Sequence, residues 1–107
     1  HIFPFSERPG TPAVDLPGKV QSSVATARVA ELGGLCDRLH GDFCVRAVGT
    51  EDTVLFESTR RGGMMFGFSG NYRRVKAPYD AAKVNTLCRV KLGAMDESHD
   101  LMGEIRD

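Results

Sequence analysis

The chain has no surplus charge of either sign, because 14 lysines and arginines balance 14 aspartates and glutamates. Global attraction to nucleic acid or to an anionic membrane is thereby excluded as a driving force, and only a local patch remains. No apolar run approaches the roughly 20 residues that a spanning helix requires. Cysteine is scarce: Cys36, Cys44 and Cys88 are the three present, with no CxxC pair and no Cys/His ligand spacing, which argues against structural zinc. Also missing are a Walker loop, a dinucleotide fingerprint, a G-x-S-x-G elbow and the alternating ligands of a calcium loop. No metal or cofactor is implied. A chain of 107 residues without a catalytic signature reads as one small binding domain and not as an enzyme.

What is present begins with proline. Residues 1–18 hold Pro4, Pro9, Pro12 and Pro17, punctuated by Gly10 and Gly18. Proline fixes φ and lacks an N–H, so this stretch predicts an extended arm, with a single compact α+β domain over residues 19–107. The start at His1, without Met, predicts a processed or trimmed chain, and a mature secreted protein would have lost its leader. Ser22 or Ser23 is placed to cap a helix. Ala25, Val29, Leu32, Cys36 and Leu39 follow at helical spacing, although Gly33-Gly34 interrupts them and the branched residues early in the run also suit a strand. Helix is the favoured state.

The centre reads as strands at 43–48, 53–58, 64–69 and 72–76, separated by turn residues, which together make an antiparallel meander. Pro78 suits the first turn of a short helix over 79–85. Residues 87–92 alternate strictly, with Cys88, Val90 and Leu92 on one face and Arg89 and Lys91 on the other. In the acidic tail Leu101, Met102 and Ile105 fall at near-helical spacing, and Asp96, Asp100 and Glu104 form one acidic stripe. The expected fold is an antiparallel sheet of four to five strands packed with one or two helices.

One stretch carries chemistry. From Arg60 to Arg74, aromatics alternate on a predicted strand with basic residues at both ends. Phe66-Gly67-Phe68 resembles part of the RNA-recognition-motif signature, in which sheet aromatics stack on bases and basic residues hold phosphates. Met64-Met65 stands where that signature has a basic-glycine pair, Ser69 replaces its aliphatic residue, and Asn71 replaces its next aromatic. The competing reading makes Met64, Phe66, Phe68, Tyr72, Arg73 and Arg74 a surface for a protein partner, since an exposed strand edge invites strand addition. His40 lies between Cys36 and Cys44, but nothing in the sequence orients a base toward a nucleophile there. Of the cysteines, Cys44 and Cys88 both fall on predicted strands and are the favoured disulfide pair. Cys36 is left as a free or partner-linked thiol, the alternative being three buried reduced thiols.

The processed-looking start His1-Ile2-Phe3-Pro4-Phe5-Ser6-Glu7-Arg8-Pro9, the few cysteines and the stretches Gly41-Asp42-Phe43-Cys44-Val45 and His99-Asp100-Leu101-Met102-Gly103-Glu104 resemble small secreted fungal effectors of the secreted-in-xylem group. That resemblance implies a secreted, non-enzymatic virulence effector of a plant-pathogenic fungus. Its partner would be a companion effector, a host protein or a plant immune receptor, and no membrane would be involved. The alternative is a small RNA-binding module using the aromatic and basic residues of 60–76, with Phe66, Phe68, Tyr72, Arg73 and Arg74 as its contacts.

Overall fold

A computed structural model describes residues 1–106. The chain divides into two compact units, one of residues 1–39 and one from residue 40 onward. The described residues form an α+β fold with one long helix, α1 (Ser22–Val45), and five strands: β1 (Glu51–Arg61), β2 (Met64–Ser69), β3 (Arg74–Pro78), β4 (Leu87–Met95) and β5 (Leu101–Arg106). Among the described residues, no helix is long and apolar enough to cross a membrane.

In the first unit, a single 3-10 turn at Pro12–Asp15 follows a proline-rich segment, and Lys19 Nζ donates to the Ala13 carbonyl at 2.5 Å while lying 4.7 Å from the Phe5 ring centre. The first turns of α1 and the strap between them line a groove of about 620 Å³, walled by Ile2, Phe3, Phe5, Leu16, Val29 and Leu32. The ambiguous stretch 22–32 is helical, and α1 runs without a break through Gly33-Gly34. No residue of this unit is buried. Its apolar helical stripe is real, but it stays accessible.

The second unit closes on itself. The five strands form a barrel in the order β1-β2-β3-β5-β4, with β4 returning to β1. All neighbours are antiparallel except β3 and β5, which run parallel. Closure explains the alternation: Val54 and Phe56 of β1, Met65 of β2, Val75 and Ala77 of β3, Cys88, Val90 and Leu92 of β4 and Leu101 of β5 fill one buried core, which Ala47 joins from outside the strands. Inward residues of a small barrel must fill its interior, and every second residue points out. The inward position between Phe66 and Phe68 has to be glycine, because a Cβ on Gly67 would run into the Leu55 carbonyl where β1 folds close over β2.

Four expected elements differ. The strand expected at 43–48 is instead the last turn of α1 and the turn after it. The Phe43 carbonyl there is one that a helix end leaves without an intrahelical partner, and Arg73 supplies two donors to it. β3 begins at Arg74 and not at Tyr72, since Tyr72 holds φ at 65° in the turn and cannot join a ladder. Residues 79–85 make successive turns and no helix: Asp80 accepts from the Ala82 and Lys83 amides, and the Asn85 amide bonds the Phe56 carbonyl of the barrel. The tail is strand β5 and not a helix, because its alternation of Leu101, Gly103 and Ile105 is used by pairing to β3 and β4. The sheet is accordingly a closed barrel, with one parallel pair, and not an open antiparallel meander. All three cysteines are free thiols, so the expected Cys44–Cys88 disulfide is absent. Cys44 is buried against His40, its Sγ 3.7 Å from Nε2, and burial pushes its thiol pKa up.

Candidate nucleic-acid interface

The outer face of β2 and β3 carries the residues that the sequence singled out. On β2 the side chains of Met64, Phe66 and Phe68 point outward and are half-buried, while Met65, Gly67 and Ser69 point in. Antiparallel register sets Phe66 opposite Lys76 and Phe68 opposite Arg74. Two guanidinium groups cover the Phe66 ring, Arg61 at 5.0 Å and Arg74 at 5.2 Å from its centre. Arg60, at the end of β1, lies 4.5 Å over the Tyr79 ring. Rings of negative face potential hold such cations near the surface without neutralising them. Tyr72 meets Phe68 edge-on, ring centres 6.0 Å apart.

The cations of this face are not equivalent. Arg74 forms a bidentate pair with the buried Asp100, at 2.6 and 2.7 Å, and this bonding holds its proton more firmly than usual. Lys76 bonds Asp96 at 2.6 Å, which pulls the Asp96 carboxyl below the ordinary range. Arg73 turns away from the face: its Nε and Nη2 donate to the Phe43 carbonyl at 3.0 and 2.7 Å, and its guanidinium lies 3.9 Å over the Phe43 ring. Among the described residues, Arg60 and Arg61 at the exposed β1–β2 turn meet rings and no carboxylate.

The structure therefore brings Met64, Phe66, Phe68, Tyr72 and Arg74 together and sets Arg73 apart as a clamp on the end of α1. Sequence reasoning missed Lys76, whose place follows only from its register with Phe66. It placed Asp96-Glu97 in a turn, which the structure bears out, but also drew a helical stripe with Glu104 through Asp96 and Asp100. They sit in the β4–β5 connection, where the Asp96 carboxylate accepts the Ser98 and Asp100 amides at 2.8 and 3.0 Å, an Asx turn whose residue types were legible in Asp96-Glu97-Ser98. Cys36 is exposed on α1, Cys44 is buried beside His40, and Cys88 is buried in the barrel near the Thr86 hydroxyl, so the three do not converge. Among the described residues, no three His, Cys, Asp or Glu side chains are grouped as metal ligands.

No family model matches the chain. It is similar to a tRNA-2-methylthio-N(6)-dimethylallyladenosine synthase of Paracoccus denitrificans, 40% identical over 91 residues that make up 84% of this chain and 20% of the relative. It is 30% identical over 99 residues to the threonylcarbamoyladenosine tRNA methylthiotransferase MtaB of Bacillus subtilis, covering 86% of this chain and 21% of that one. A second tRNA-2-methylthio-N(6)-dimethylallyladenosine synthase, of Methylobacillus flagellatus, is 32% identical over 105 residues, 96% of this chain and 24% of its own. The chain thus spans about a fifth to a quarter of the length of the curated relatives it matches. These relatives overturn the resemblance to secreted fungal effectors and, with it, the expected virulence role, secretion and lack of enzymatic kinship. The features that carried that resemblance, a proline-rich start and few cysteines, constrain chain stiffness and redox chemistry and say nothing about a binding face. The similarity of this chain is to a part of tRNA-modifying enzymes.

Proposed function

We propose that the chain is part of a tRNA-modifying enzyme related to the methylthiotransferases, and that its barrel grips the RNA substrate. The observation that carries this is the outer face of β2 and β3, where Phe66 and Phe68 lie beside Arg61, Arg74 and Lys76 on a five-stranded barrel. Small barrels of the OB type bind oligonucleotides across their second and third strands and the loops after strands 1 and 4, and the present face lies on the matching surface. That correspondence is an analogy of scaffold, and the side chains supply the chemistry. Aromatic faces stack on unpaired bases of any sequence, and arginine serves both phosphate and base planes.

Charge decides which residues lead. Arg74 and Lys76 arrive already compensated by Asp100 and Asp96, so they shape the face more than they attract phosphate. Arg60 and Arg61, at the exposed turn, supply the attraction. A neutral chain that binds RNA through two such cations has a modest salt dependence, with each phosphate contact contributing about one unit to the slope of log K against log salt. Binding of unfractionated tRNA, followed by fluorescence anisotropy between low and moderate salt, tests this. The Arg60→Ala, Arg61→Ala double variant is expected to lower that slope by about two. Absence of binding at low salt, or a slope unaltered in the double variant, would overturn the proposal.

A further inference from the structure

Beside the Phe66 ring lies a second feature that attraction for phosphate does not explain. Leu55 of β1 pairs with Phe68 of β2 on one side and with Leu87 of β4 on the other, so three outward apolar side chains form a row across three strands. Tyr72 closes one end of the row against Phe68. Together they line a shallow cradle of about 510 Å³. Leu87 is 72% exposed and Tyr72 78%, unusual for large apolar or aromatic side chains on a barrel with a complete core.

The Tyr72 ring is held out by backbone that a tyrosine rarely adopts. Its φ is 65°, a region that favours glycine or asparagine, and the turn is fixed by the Tyr72 amide to the Ser69 carbonyl at 3.0 Å and by the Ser69 hydroxyl to Asn71 Oδ1 at 2.6 Å. The cradle wall contains Asp52 and Glu57 and neither lysine nor arginine. Carboxylates there repel a phosphate but accept hydrogen bonds from the amino group of a base. The cations lie two residues away along β2, around Phe66.

We infer that this cradle receives a single unstacked base of the bound RNA, its plane against Tyr72 and Phe68, while the phosphates on either side run toward Arg61 and Arg60. The inference rests on the RNA-binding proposal and adds to it a site that reads base and not backbone.

The chain contains no tryptophan and only Tyr72 and Tyr79 as tyrosines, so tyrosine emission reports stacking directly, and Tyr79→Phe isolates Tyr72. The probes are a single-stranded oligoadenylate and an abasic ribose-phosphate oligomer of the same length, added to the full chain at low salt. Oligoadenylate is expected to quench Tyr72 emission in the Tyr79→Phe protein, whereas the abasic oligomer binds without quenching. Tyr72→Gly relieves the backbone and is expected to fold, to bind oligoadenylate about tenfold more weakly and to keep the salt slope of the parent. Leu87→Ser, on another strand, should weaken binding in the same salt-independent way. If Tyr72→Gly and Leu87→Ser bind oligoadenylate like the parent while the Arg60, Arg61 double variant does not, the cradle is refuted and the RNA proposal stands. If neither oligomer nor tRNA binds at low salt, both fall together.

Discussion

Residues 1–39 and the barrel from residue 40 onward both carry large apolar side chains, yet only the barrel buries them. In the first unit Phe3, Phe5, Leu16, Val20, Leu32 and Leu39 are all exposed, and no residue is buried. In the second, Val54, Phe56, Met65, Val75, Val90 and Leu101 are wholly enclosed. Amphipathic pattern is common to both. What separates them is closure: five strands paired in a ring give every inward side chain neighbours on all sides, whereas a strap and one helix give each other a single wall. An apolar periodicity therefore announces a face, and the number of elements that can reach the face decides whether it becomes a core.

Three pairs of substitutions sharpen or break this contrast, in decreasing order of expected effect. Phe56→Ala should cost about 3–5 kcal/mol, since it opens a cavity in a packed interior, while Leu32→Ala should stay within about 0.5 kcal/mol. Urea unfolding of the two variants measures both, and similar losses would show that residues 1–39 carry a core after all. Alanine at glycine should act in opposite directions. Gly67→Ala drives a methyl into the Leu55 carbonyl and should cost about 1–3 kcal/mol, whereas Gly33, with open space around it on α1, should gain up to about 1 kcal/mol from the same change. Thermal melts decide the sign.

The smallest effect concerns Asp96. Lys76 and the turn amides hold its carboxyl below the ordinary range, so the unfolded chain takes up its proton first as the pH drops. The contribution is therefore complete above the ordinary carboxylate pKa of about 3.9 and disappears as pH falls through the lower, folded-state value. Asp96→Asn keeps the acceptor for the turn and should cost about 0.5 kcal/mol at neutral pH, with a shallower acid limb in stability against pH. In the first unit, Glu7→Gln should leave that limb alone, because the Glu7–Lys19 pair is long, at 3.9 Å, and exposed. A limb unchanged in Asp96→Asn would mean that the barrel pair stabilises no more than the surface pair does.

The amino-acid order by itself determined the local facts. It gave the helical spacing from Ala25 to Leu39, the strict alternation of β4 and the limits of β2, because periods of 3.6 and 2 residues are properties of consecutive positions. It also marked Phe66, Phe68 and Arg74 as one surface, since neighbours on a strand and its hairpin partner meet by register. Only the tertiary structure decided that Arg73 clamps the end of α1, that Asp96 and Asp100 compensate Lys76 and Arg74, that the tail is a strand, and that Leu55 and Leu87 join Phe68 and Tyr72 in a cradle. Each of these depends on pairing between residues about 20 or more positions apart, or on a strand completing a ring. Closure of the barrel sets those distances, and no stretch of neighbouring residues contains them.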